Sequence, residues 1–184
     1  MKDYAALLSR VLALRRSRLY PEILYLISPE CEDERLRYYR GMALAETGAY
    51  DEAMKVFIEL GRCDWLTALT PEHNPLFCTG CCLFCRKRYH EANEWFLKAQ
   101  TAVPAEEDWP DSRPFKWSGA CYHLISDFTS AITQYRSSLA IYEQDVLGGR
   151  FSFEERALKM AVDGIPLREE DLSIRAFELE FAEE

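Results

Sequence analysis

The chain has 184 residues, 22 basic against 31 acidic for a net charge of −9, and 48% hydrophobic residues. That length suits one domain with enough apolar content for a continuous core. The acidic balance argues against nucleic-acid partners, because a phosphate backbone is neutralised by a basic surface. No apolar run approaches the roughly 20 residues that span a bilayer, so no membrane partner is expected. The apolar N-terminal stretch is broken by Arg10, unlike a secretory signal. Seven cysteines, an odd number, fit a reducing nuclear or cytoplasmic setting better than a secreted disulfide framework.

In chain order, Asp3 is expected to cap a first helix. Its positions Tyr4, Leu7, Leu8, Val11 and Leu12 follow the spacing of one buried face, and it ends near Arg16. Pro21 marks the first turn of a second helix bearing Tyr20, Ile23 and Ile27, so residues 1–30 form an irregular first repeat. Residues 34–61 form the second, with Gly48 in its turn and Gly61 ending its helix in a left-handed conformation. A short helical turn is expected at Asp64 to Leu69. The third repeat is 74–103, opened by Pro75, and an acidic surface loop covers Ala105 to Pro114. The fourth is 115–143, followed by a break at Gly148-Gly149. A terminal helix pair, 152–182, opens on a Ser152/Glu155 capping box and is stopped by Gly164. Pro166 then starts a last helix whose apolar side is Leu172, Phe177, Leu179 and Phe181.

A register runs through the middle of the chain. Gly41, Ala53 and Phe57 recur as Gly80, Ala92 and Phe96, then as Gly119, Ala131 and Tyr135, each step being 39 residues, and an aromatic precedes each second helix at Tyr50, Tyr89 and Phe128. A small residue on each of two antiparallel helices lets them approach closely, and the aromatic fills the space beside them. The expected fold class is therefore all-α, a solenoid of stacked antiparallel helix hairpins forming a single domain.

Cys78, Cys81, Cys82 and Cys85 resemble paired zinc knuckles. On a helix, however, they share one face spanning about 10 Å, too long for ligands that must converge on one ion, and are expected as core. His73, His90 and His123 are far apart in the repeat layout, and no nucleophile elbow, phosphate loop, metalloprotease or dinucleotide motif occurs. No catalytic residue, metal or cofactor is assigned, and the chain is not expected to be an enzyme.

Stacked hairpins offer a surface lined by the first helix of each repeat. Groove positions fall on Arg35, Tyr38, Met42 and Ala45, then on Asn74, Phe77, Cys81 and Phe84, and then on Arg113, Lys116, Ala120 and His123. The lining is aromatic in the middle and basic at the ends, which suits an extended or helical peptide bearing an acidic group.

Leu76, Thr79, Gly80, Leu83, Ala92, Phe96 and Pro104 match the tetratricopeptide pattern, and residues 34–143 resemble a tetratricopeptide array. The usual unit is about 34 residues, so each unit here carries extra residues after its second helix. The stretches LTPEHNPLFCTGCCLFCRKRYHEANEWFLKAQ and FKWSGACYHLISDFTSAITQYRSSLAIY, with RLYPEILYLI and RYYRGMALAETGAYDEAMKVF upstream, are similar to repeats of the scaffold subunits of the anaphase-promoting complex. That resemblance implies a cell-cycle scaffold holding other protein subunits of a ubiquitin ligase and forming homodimers through its N-terminal repeats. Tyr4, Leu7, Leu8, Val11 and Leu12 are the expected dimer face. The alternative is a monomeric peptide-binding adaptor or co-chaperone.

Overall fold

The computed structural model describes residues 4–62, 74–102, 111–143 and 152–172. The expected cap at Asp3, the turn at 64–69, most of the acidic loop, the Gly148-Gly149 break, His73 and the apolar positions Phe177, Leu179 and Phe181 lie outside them. Among the described residues the fold is all-α, with consecutive helices packed on their neighbours. The helices are α1 (Tyr4–Arg16), α2 (Tyr20–Leu26), α3 (Glu34–Glu46), α4 (Tyr50–Leu60), α5 (Pro75–Cys85), α6 (Tyr89–Ala102), α7 (Arg113–Leu124), α8 (Phe128–Glu143) and α9 (Ser152–Val162), followed by a 3-10 turn at Glu169–Asp171. The chain divides into two compact units, Met1–Cys82 and Leu83–Glu184, and the division falls within α5.

The reversal inside each hairpin is built in one way. Arg18, Gly48, Lys87 and Ser126 all have positive φ, at 56°, 85°, 60° and 65°. Each stands two residues before Tyr20, Tyr50, Tyr89 or Phe128, the first residue of the following helix. The amide after each left-handed residue bonds back across the helix end: Leu19 N–H to the Leu14 carbonyl at 2.9 Å, Ala49 to Leu44 at 2.8 Å, Arg88 to Leu83 at 3.0 Å and Asp127 to Tyr122 at 2.9 Å. This six-to-one bond satisfies a carbonyl that the helix end leaves unpaired, which is the Schellman arrangement.

The small-residue register has a direct steric basis. A methyl group added at Gly41 would stand 2.8 Å from a ring carbon of Phe57, and one at Gly119 would stand 2.7 Å from the ring of Tyr135. Ala53, Ala92 and Ala131 are fully buried, as are Phe57, Phe96 and Tyr135. The first hairpin solves the same problem with other volumes. Val11 occupies the glycine position, Ile23 the alanine position and Ile27 the aromatic position, and all three are buried. The larger Val11 on the first helix stands opposite the smaller Ile27 in place of an aromatic ring, while Ile23 is larger than the alanine of the later repeats.

Two sequence expectations are corrected. Gly61 is not left-handed: φ is −67° and ψ −11°, ordinary right-handed helix. An added methyl there would lie 2.8 Å from the end of the Leu76 side chain, which would have to shift. Pro166 does not start a helix either. Gly164 (φ 66°) ends α9 in the hairpin turn, with Ile165 N–H on the Met160 carbonyl at 2.8 Å, but residues 165–168 then run without helical structure to the 3-10 turn. In the hairpin register Glu169 falls where α4, α6 and α8 carry the buried alanine, and Ser173 where they carry the aromatic. A charged side chain cannot take that close-packed apolar position without a partner.

Candidate functional site

In the first unit, α3 is fixed at its start by Asp33, whose carboxylate accepts the Leu36 amide at 3.0 Å. Tyr38 is fully buried, with its ring 5.7 Å from those of Tyr39 and Phe57 and its hydroxyl 3.3 Å from the Cys78 sulfur. Met42 and Phe77 are also core. Asn74 is not groove lining but the cap of α5: its side-chain oxygen accepts the amides of Leu76 at 3.0 Å and Phe77 at 3.2 Å. Of the positions expected to line a groove in this unit, only Arg35 is exposed. Tyr38, Met42, Ala45, Phe77 and Cys81 are buried, and Cys78 of α5 lies on the Tyr38 hydroxyl. On α1, Val11 is wholly buried, whereas Tyr4, Leu7, Leu8 and Leu12 are half-buried; Tyr25 on α2, which the sequence reading missed, is 90% exposed.

In the second unit the expected groove residues gather on α7 and at its neighbours, and each has an intramolecular partner. Arg113 makes a bidentate contact to Asp111, with both nitrogen–oxygen distances 2.8 Å. Lys116 lies 3.9 Å from the carboxylate of Glu154 on α9 and over the rings of Trp117 and Phe153. Phe84 is nearly buried, edge-on to Tyr89 and Trp117 at 5.2 and 5.0 Å. His123 is fully buried between Phe128 and Tyr135, and its Nε2 lies 2.7 Å from the Ile165 carbonyl. A carbonyl only accepts, so Nε2 carries the proton, and Nδ1 faces the Tyr135 hydroxyl at 3.5 Å. Burial holds the imidazole below its ordinary value, opposed by the bond to Ile165 and by Asp171.

The segment from Ile165 to Leu172 therefore lies against α7 and the turn that leads into α6. Leu167 is 4% exposed. Glu169 bonds Lys87 Nζ at 2.5 Å and accepts from the Tyr89 hydroxyl at 2.7 Å. The Lys87 and Tyr89 hydrogen bonds hold the Glu169 carboxyl below its usual range. Burial first, and the bond to Glu169 second, push the Tyr89 phenol up. Arg156 on α9 donates to the Asp171 carbonyl at 3.2 Å. Sequence reasoning placed His123 in a groove but did not identify what fills it; the acidic run after Pro166 was the available signal.

Cys78, Cys81 and Cys82 are fully buried on α5, in keeping with a packed helical face, and Cys85 is half-buried. Burial raises the thiol of Cys121 far above the ordinary range, which disfavours the nucleophilic thiolate. Among the described residues no three His, Cys, Asp or Glu side chains converge as a metal site would require, and no helix is long and apolar enough to cross a membrane. Comparison with protein-family models, with curated proteins and with solved structures gives no match.

Proposed function

We propose that this chain is a non-enzymatic protein–protein interaction scaffold of the tetratricopeptide type, working in the nucleus or cytoplasm as a self-associating subunit of a multiprotein assembly. The observation that carries the reading is the repeated hairpin: the same left-handed turn at Arg18, Gly48, Lys87 and Ser126, with a glycine–aromatic contact at Gly41–Phe57 and again at Gly119–Tyr135. Such repeats build surface area in place of a catalytic cleft. The assembly whose repeats the sequence resembles is the anaphase-promoting complex.

Self-association is assigned to α1 and α2, where Tyr4, Leu7, Leu8 and Leu12 keep apolar area accessible and Tyr25 is exposed. Val11 is left out of this face because it belongs to the core. Sedimentation equilibrium at micromolar concentration tests the reading. A homodimer is expected, and Leu8→Glu with Tyr25→Lys is expected to give a monomer of unchanged helicity. A monomer from the unaltered chain would refute self-association and leave the second reading, a monomeric peptide-binding adaptor. That reading is favoured by the extended segment seated on α7.

A further inference from the structure

We propose that the face of the second unit formed by α7 and the turn entering α6 is a binding site for an extended acidic peptide of a partner protein, and that residues 165–172 are a tethered competitor occupying it. The inference rests on the interaction-module reading above. The seated segment displays the recognition chemistry. Ile165 offers a backbone carbonyl to His123 Nε2 at 2.7 Å, Leu167 is inserted and buried, and two residues later Glu169 meets both Lys87 and the Tyr89 hydroxyl. Between these anchors the side chains of Ile165, Pro166, Arg168 and Glu170 are exposed, and Arg168 bonds within the segment itself, to Glu170 and Asp171. One inserted apolar side chain, with a main-chain bond on one side of it and a charge-assisted bond on the other, is how grooves read short linear peptides.

The segment is suited to leave as well as to bind. It follows the only hairpin turn among the described residues that does not lead into a second helix. The Lys87 and Glu169 side chains are 66% and 50% exposed, so their pairing is weak. A partner presenting a leucine two residues before a glutamate makes the same contacts. It must overcome the high effective concentration of the tethered copy, which is of millimolar order for short connections.

The test uses the full chain and a fluorescein-labelled peptide, Gly-Ile-Pro-Leu-Arg-Glu-Glu-Asp-Leu, corresponding to residues 164–172. In fluorescence anisotropy, the variant Leu167→Asp/Glu169→Ala, with its own segment unseated, is expected to bind the peptide at least about tenfold more tightly than the unaltered chain. Adding Lys87→Glu, which sets like charges against each other, should weaken that binding severalfold. A peptide carrying lysine at the position of Glu169 should then restore it. Equal peptide binding by unaltered and unseated chains, or indifference to Lys87→Glu, overturns the proposal. Loss of helicity in the unseated variant also overturns it, since the segment would then be part of the fold. Hydrogen exchange on the unaltered chain gives a second check: amides of 165–172 should exchange well before those of α7 and α8, and exchange only together with them refutes a releasable segment. A monomer that binds the peptide removes self-association and keeps this site, whereas a dimer that does not bind it does the reverse.

Discussion

The turn after α7 and the turn after α9 share one backbone and lead to different structures. Ser126 and Gly164 have φ of 65° and 66°, and in each turn the next amide bonds a carbonyl five residues back. After Ser126 comes α8, with Ala131 fully buried and Tyr135 lying over Gly119 of α7. After Gly164 comes a stretch that is extended at Arg168, where φ is −108° and ψ 151°. Proline at the first helical position is compatible with a helix, so Pro166 alone does not account for the difference. What is missing is the apolar pair, since Glu169 and Ser173 stand where alanine and an aromatic would be. The turn reverses the chain; a second helix forms only where its sequence can bury a face against the first.

The largest effect should come from removing the pair where it exists. Tyr135→Ala is expected to lower stability by about 3–5 kcal/mol in urea unfolding, because it empties a fully buried ring site. Leu167→Ala, in the segment after α9, should leave the unfolding midpoint of the helices unchanged while speeding hydrogen exchange at 165–172. Equal midpoint shifts would show that the two regions are not different in kind.

Next in size is Gly119→Ala. The added methyl would meet the Tyr135 ring at 2.7 Å, and the ring is enclosed and cannot retreat freely, so a loss of about 1–3 kcal/mol is expected. Gly164→Ala meets nothing within 4 Å, and its cost is limited to the left-handed backbone, about 1–2 kcal/mol. Thermal unfolding of the two variants separates a packing glycine from a conformational one.

Acid should act on the region after α9 through two groups, His123 and Glu169. His123 is held below its ordinary value of 6.5, so its protonation favours the state in which the imidazole is exposed. Its contribution is complete above about pH 6.5 and falls as pH drops through the folded value, with Asp171 the facing charge that moderates the loss. The carboxyl of Glu169 is held below its ordinary 4.5, so its pairing with Lys87 persists through that pH and is lost only as pH falls through the lowered folded value. Exchange protection of 165–172 is therefore expected to decline in two stages on acidification. A single global loss shared with α7 and α8 would contradict this.

Much of this contrast was legible in the sequence. The 39-residue spacing located α4 and α6 at their observed starts, because Tyr50 and Tyr89 each follow a turn that must reverse the chain. The burial of Cys78, Cys81 and Cys82 followed from their sharing one helical face. The groove was not legible in the same way. Periodicity shows that Tyr38, Met42 and His123 share the inner face of a first helix, but not what covers that face. The covering contacts are long-range: Cys78 on Tyr38, and Ile165 on His123. Gly61 was misjudged for a related reason: its φ is right-handed, and what stands closest to its missing side chain is Leu76, a neighbour distant along the helix pattern.

The smallest effect concerns the left-handed residue itself, which is glycine at 48 and 164 but serine at 126. An L side chain in that conformation costs about 1–2 kcal/mol, and glycine avoids the cost. Glycine also gives the unfolded chain more freedom, a penalty of about 0.5–1 kcal/mol. The Ser126 side chain is exposed, so its removal opens no cavity. The two terms nearly offset, and Ser126→Gly is expected to stabilise the chain by about 1 kcal/mol or less, read as a small rise in the urea midpoint at unchanged slope. Gly48→Ser, the reverse change at the same turn position with φ 85° and open space around it, should destabilise by a similar amount. Shifts of the same sign in the two variants would mean that the turns are not equivalent, and the argument that one turn serves different continuations would fail at its first step.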